Sequence, residues 1–274
     1  MKITKVMKFG GTSVGSAQRM KEVGKLIQSD NDSKIVVLSA VSGTTNKLVS
    51  IGKSLYKQNK QKAVDEINQL NDSYQLLLKE LFETDVFLNK GKAFINEHFS
   101  YLNSFTKDLF TIYEERALLA QGELISTGLF QLYCEENKIN SVLVSALDFM
   151  RIDKNQEPDE YYIESNLSKI VDENDANIFI TQGFICRNAF GEIDNLKRGG
   201  SDYTATLVGA ALNVSEVQVW TDIDGMHNND PRVVENTRPV ENLSYAEAAE
   251  LAYFGAKILH PLCVWPAQKK GTSI

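Results

Sequence analysis

Four stretches of the chain combine residue types whose spacing could do chemistry. The first is Lys8-Phe9-Gly10-Gly11-Thr12-Ser13-Val14-Gly15-Ser16. Glycines between a strand and a helix let backbone N–H groups approach an anion at the helix N-terminus, and Lys8 adds a cation there. Neither the Walker pattern nor the G-x-G-x-x-G dinucleotide fingerprint is present. Gly11 to Gly15 also spells G-x-S-x-G, the nucleophile elbow of serine hydrolases, with Ser13 as the nucleophile. Only one strand precedes that serine, and its partners would have to come from Asp222 or Asp224 with His227 or His260. A turn that simply needs glycines accounts for the stretch almost as well.

The second stretch is Lys197-Arg198-Gly199-Gly200-Ser201-Asp202-Tyr203, opening a helix of small residues. Arg198 can fork onto a carboxylate or phosphate. Ser201 and Asp202 stand where a side chain either caps a helix or binds a ligand. The third runs from Trp220 to Arg232. Its Asp222-x-Asp224-Gly225 looks like a calcium loop, but position five would be Met226 and position twelve Val233, so the register fails. A polar loop leaving a strand's C-terminal end remains, where α/β sheets bind ligands. The fourth is Glu123 in Gln121-Gly122-Glu123-Leu124-Ile125-Ser126-Thr127-Gly128. Helical spacing places this carboxylate on an apolar face, and a buried carboxylate needs a partner. A ligand ammonium and a core hydrogen bond are both open.

The elements that must position these residues alternate. Short apolar runs fall at Ile3 to Phe9, Ile35 to Ala40, Ser141 to Ala146, Asn177 to Thr181 and Glu216 to Thr221. Several, such as Ile35-Val36-Val37-Leu38, are unbroken, as in strands covered on both faces of a parallel sheet. Helical patterns lie between them, at Ser16 to Gln28, Asn46 to Lys57, Glu115 to Glu135, Tyr161 to Glu173 and Asp202 to Leu212. The pattern predicts a doubly wound α/β fold, a mostly parallel sheet between helical layers. Residues 53–113 break the rhythm. Apolar positions at steps of three and four predict two amphipathic helices, turning near Leu88 to Lys92, as a helical insertion rather than a separate domain. Ser244 with Glu247 is a capping box, and Gly255 stands where a C-cap glycine belongs. After Pro261 the chain is expected to turn into a further strand.

Composition narrows the partners. The 274 residues carry 29 Lys and Arg against 36 Asp and Glu, a net charge of −7, which argues against general nucleic-acid binding. A small anionic ligand needs only a few local cations and N–H groups. No apolar run approaches the ~20 residues of a membrane span, and no signal peptide is expected from the N-terminus. Cys134, Cys186 and Cys263 are odd in number and far apart, as in a reduced cytoplasmic protein. The three histidines share no metal-ligand spacing, so no metal site is expected from the sequence.

Taken together, Lys8-Phe9-Gly10-Gly11-Thr12-Ser13-Val14 resembles the opening signature of aspartokinases, within the amino-acid kinase family. The resemblance continues through Gly122-Glu123-Leu124-Ile125-Ser126-Thr127, Arg198-Gly199-Gly200-Ser201-Asp202, Thr221-Asp222, Asp230-Pro231-Arg232 and Phe254-Gly255-Ala256-Lys257-Ile258-Leu259-His260-Pro261, in family order. It implies a three-layer αβα sandwich that transfers the γ-phosphoryl of ATP, with Mg²⁺, to the β-carboxylate of L-aspartate. It also implies that Lys8 and Asp202 are catalytic, Lys8 stabilising the charge on the transferring phosphoryl. Thr45, Glu123, Arg198, Gly199, Gly200, Ser201 and Asp202 would hold aspartate. Lys8, Gly10, Gly11, Ser39, Thr221, Asp222, His227, Arg232 and Lys257 would hold the nucleotide. His227 stands where relatives often have tyrosine. Residues 1–274 are then expected to form nearly all of a catalytic domain. ACT-type regulatory domains and a homodimer or higher oligomer are expected of the full-length protein.

Overall fold

The computed structural model describes residues 2–196, 199–222, 225–229, 233–253 and 261–274. Its centre is a five-stranded sheet in the order β3-β4-β2-β1-β7, built from β1 (Lys5–Phe9), β2 (Lys34–Leu38), β3 (Ser141–Leu143), β4 (Ile178–Gln182) and β7 (Glu216–Trp220). Every pairing is parallel. The unbroken apolar runs have the expected cause: β2 and β4 are buried along their whole length, because helices cover both faces.

Side chains alternate between two cores. Met7, Phe9, Val36, Leu38 and Ile180 point into one core. Covering it are α1 (Ala17–Leu26), α2 (Thr44–Tyr56), α3 (Lys60–Leu81), α4 (Asp85–Ser104) and α5 (Ile112–Glu136). Val6, Ile35, Val37, Phe179 and Val217 point into the other. There they meet α6 (Ala146–Phe149), α7 (Glu160–Asp172) and α8 (Gly200–Ala211). The result is the three-layer α/β sandwich anticipated from the alternation of strands and helices.

Three details depart from the sequence reading. The helical hairpin turns at Phe82 to Thr84, not near residues 88–92. Thr84 caps α4 through the Phe87 N–H, and Gly91 lies inside α4 against Phe82. A two-stranded antiparallel hairpin, β5 (Ile185–Arg187) with β6 (Ile193–Asn195), was not foreseen, because three-residue strands show no periodicity. Residues after Pro261 first form α10 (Pro261–Lys270), and only then does Ser273 pair beside Glu216 of β7. Proline at a first helical position needs no N–H partner, which is why Pro261 opens a helix instead of a turn. The capping box is present: Ser244 and Glu247 exchange bonds ahead of α9 (Tyr245–Tyr253). Gly255 lies outside the described residues. No described helix is long and apolar enough to cross a membrane.

Candidate active site

In a parallel α/β sheet the carboxyl ends of the strands all open on one edge, and ligands bind there. Here the ends of β1, β2, β4 and β7 and the start of α8 converge on that edge. Alternation along β1 sends Lys8 to the same face as Val6, toward α8. Its ammonium lies 2.6 Å from Oδ1 of Asp202, in the first turn of that helix. The two side chains are only 12% and 20% exposed. Asp202 Oδ1 nevertheless lacks a partner in hydrogen-bond geometry. The approach is too oblique, so the contact is one of charge, and the ammonium can exchange it for a ligand oxygen without breaking a well-aligned bond.

Capping does not explain Ser201 and Asp202. The N-cap of α8 is Gly199, which has a left-handed backbone and no capping side chain. The helix therefore begins with its N–H groups uncovered by side chains, leaving Ser201 and Asp202 for other work. Ser201 accepts a 2.8 Å hydrogen bond from the Ser39 hydroxyl, just past the end of β2, and so keeps its own proton for a ligand. Room for this comes from Gly183, just past β4, where a Cβ would stand 2.3 Å from the Ser201 side chain.

The glycine loop closes over the same edge. Ser13 and Val14 both donate backbone N–H bonds to the Gly10 carbonyl, and Ser42 donates to Gly11. A Cβ on Gly11 would lie 2.9 Å from the Ala40 carbonyl, so glycine is required where the β1–α1 and β2–α2 loops touch. Lys8 Nζ lies beside Gly10.

Glu123 approaches from α5. Only 4% exposed, it accepts one hydrogen bond, 3.3 Å from the Ala40 N–H to Oε1, and its Oε2 has no partner. Burial pushes its carboxyl up to about 7, against two backbone hydrogen bonds that pull it down. A carboxyl this poorly solvated is held near neutrality until a cation arrives. The core-hydrogen-bond alternative accounts for one oxygen and leaves the other unexplained. Thr45 lies in the first turn of α2, half-buried, next to Thr44, whose hydroxyl bonds the buried Tyr74 hydroxyl at 2.9 Å.

The remaining expected residues are less concentrated. Thr221 and Asp222 are exposed just past β7, with the Thr221 hydroxyl on the Asp222 carboxylate at 3.1 Å. They line a cleft of about 230 Å³ with Phe9, Ser13 and Trp220. His227 is buried, and its Nδ1 meets the Thr237 hydroxyl of the same loop at 2.9 Å. Arg198, Arg232 and Lys257 lie outside the described residues. Sequence reasoning missed Gly183, Tyr74 and the Ala40 N–H. A glycine directly after a buried strand was the available signal for Gly183, whereas Tyr74 read only as one more apolar position of a helix.

The hydrolase arrangement does not form. Ser13 has no hydrogen bond to a histidine or carboxylate among the described residues, and His98, the one histidine outside the loops proposed for it, is taken by Gln121 at 2.7 Å. No cluster of metal-ligating side chains occurs among the described residues.

The sequence profile of the amino acid kinase family matches residues 4–274. The chain belongs to this family. Among its amino acid kinase relatives, "Aspartokinase 3, chloroplastic" of Arabidopsis thaliana is 37% identical, over 98% of this chain and 49% of that protein. "Lysine-sensitive aspartokinase 3" of Escherichia coli (strain K12) is 34% identical, over 96% of this chain and 58% of that protein. Among solved structures, E. coli aspartokinase III in complex with aspartate and ADP superposes with a TM-score of 0.83 at 32% identity. That match covers 97% of this chain and 60% of the other. The chain thus spans about half the length of the curated kinases it matches.

Proposed function

We propose that this chain is the catalytic part of an aspartate kinase, transferring the γ-phosphoryl of ATP to the β-carboxylate of L-aspartate. The observation that carries the reading is the juxtaposition at one sheet edge of Lys8, an uncapped helix N-terminus with Asp202, and a buried, half-unpartnered Glu123. A cation with open N–H groups suits a phosphoryl group, and a desolvated carboxylate suits an ammonium. The named relatives at 34 and 37% identity support the same substrates.

The chemistry asks little more. The acceptor carboxylate, with an ordinary pKa of about 3.9, is ionised at neutral pH, so no general base is required. Phosphoryl transfer then depends on positioning and on stabilising charge. Lys8 would leave Asp202 for the transferring phosphoryl oxygens, and Gly10 and Gly11 would offer N–H groups to the phosphates. The Ser201 hydroxyl and Thr45 would orient aspartate, Glu123 would take its ammonium, and Arg198 one of its carboxylates. Thr221, Asp222, His227, Arg232 and Lys257 would hold the nucleotide, with Ser39 at the junction of the two substrates. Magnesium fits such a site, since it is bound through one or two carboxylates plus phosphate oxygens and Asp202 offers a carboxylate beside Lys8. When bound, it neutralises phosphate charge.

The setting that fits is cytoplasmic, with Cys134 and Cys186 as buried thiols. Regulatory domains of ACT type and a homodimer or larger assembly complete the proposal for the full-length protein. A coupled assay of ADP release with aspartate, with glutamate and with no acceptor tests the reading. ADP release that requires aspartate is expected; release independent of acceptor, or nucleotide binding without turnover, would overturn it.

A further inference from the structure

The segment from Leu196 to Gly200 carries Arg198, and what fixes that segment lies outside the substrate groups already described. Asp194, in the middle of β6, is 4% exposed. Its Oδ2 meets Arg116 Nη1 of α5 at 3.0 Å, with the two side chains 5% and 18% exposed. Its Oδ1 accepts the Asn195 N–H at 2.8 Å. Across the hairpin stands Cys186, fully buried, its thiol pushed up by burial first and then by the Asp194 charge. Leu196, also buried, donates its N–H to the Phe184 carbonyl at 2.8 Å. The short stretch that follows is pinned again at Ser201 by Ser39.

Arg116 and Glu123 share α5 and stand seven residues apart, about two turns, which puts them on one side of the helix. One helix therefore grips both approaches to the edge. Glu123 holds the β2–α2 loop through Ala40, and Arg116 holds the β5–β6 hairpin through Asp194. A buried ion pair is a poor source of net stability, because desolvation offsets most of the attraction, but it fixes a register firmly. We propose that Arg116 and Asp194 are positioning residues that set residues 197–200, and with them Arg198, for the carboxylate-bearing substrate. The substrate half of this inference rests on the kinase reading; the tether itself does not.

Arg116→Met in the purified chain, with Arg116→Lys as its conservative control, tests the tether. The KM for aspartate is expected to rise about tenfold in Arg116→Met, while kcat and the KM for ATP stay within about twofold. Trypsin should also cleave faster after Lys197 or Arg198, sites mapped by mass spectrometry, and Arg116→Lys should restore most of both effects. An aspartate KM and cleavage rate equal to the parent's in a folded Arg116→Met would overturn the proposal. So would an equal rise in both KM values, which is the pattern of general loosening. Should Arg116→Met not fold, Arg116→Met with Asp194→Asn removes both charges and leaves none buried alone. Faster cleavage of that double variant supports the tether, and parental cleavage overturns it. If the parent itself does not phosphorylate aspartate, the kinase reading fails, while the cleavage comparison still decides whether the pair holds residues 197–200.

Discussion

The two sides of the active edge solve the problem of burying charge in opposite ways. On the α8 side every polar group has a protein partner: Lys8 faces Asp202, and Ser39 faces Ser201. On the α5 side Glu123 is buried deeper than either member of the Lys8–Asp202 pair yet has one oxygen with no partner. The first side is charge-neutral before any ligand arrives and rearranges by exchanging contacts. The second is unfinished, and a ligand cation would complete it. Matched burial preserves the fold, whereas unmatched burial favours binding at the cost of the fold.

The sharpest way to break the matched side is Lys8→Ala. The fold should survive, since Asp202 is partly solvated and regains water when the ammonium leaves. Turnover should fall by about a thousandfold or more, the scale seen when a preorganised charge on a transferring group is lost. Steady-state ADP release alongside a thermal melt is the measurement. A well-folded variant with near-parental kcat would remove Lys8 from its proposed role.

The unmatched side is tested by Glu123→Gln, with a smaller effect on rate and an opposite one on stability. The carboxyl's ordinary value is 4.5 and the folded chain holds it at about 7. Between these values the unfolded chain releases the proton while the folded chain retains it, so stability falls as pH rises through this window. The contribution is fully present below pH 4.5 and gone above 7, a loss of roughly 3 kcal/mol at most. Glu123→Gln removes that loss. Its Tm should exceed the parent's at pH 8, with the gap closing by pH 5, while its KM for aspartate rises about a hundredfold. The parent's KM for aspartate should itself rise as pH falls below about 7, because the neutral carboxyl must lose its proton to receive an ammonium. A Tm at or below the parent's at every pH would contradict the idea that Glu123 is buried at a cost.

This contrast also marks how far the sequence could be read. Features whose chemistry is local were legible: the Gly10-Gly11 turn after β1, the unbroken run of β2, and Glu123 on an otherwise apolar helix face. What depends on contacts distant in sequence was not. Nothing near Ser201 announces that Ser39 will bond it, and nothing near Asp194 points to Arg116. The break between α3 and α4 was missed for a different reason. Apolar spacing runs on through Leu81 and Phe82, and Thr84, the cap that ends the ambiguity, is one residue among many polar ones. Ser201 and Asp202 were ambiguous between capping and binding. Only the left-handed Gly199 at the N-cap, a backbone fact, decides against capping.

The smallest effect is expected at Ser39. Ser39→Ala leaves Ser201 in place, with α8 still held by the Lys8–Asp202 contact and by Gly183 beneath it. What is lost is one neutral hydrogen bond, worth about 1 kcal/mol, or about a fivefold change in a binding constant. The consequence depends on what that bond does. If it only fastens α8, Tm should fall by a degree or two and both KM values should stay put. If it orients the Ser201 proton toward a ligand, the KM for aspartate should rise about fivefold at nearly constant kcat, because a uniform loss of binding leaves the barrier from the bound state unchanged. The second outcome is the one expected. The Ser39 donor consumes the Ser201 lone pair that faces the core, so the remaining O–H has only the open edge to point to. Ser39→Thr, which restores the donor with one added methyl, should return the aspartate KM toward the parent's; its failure to do so while Tm recovers would reduce the bond to a fastening.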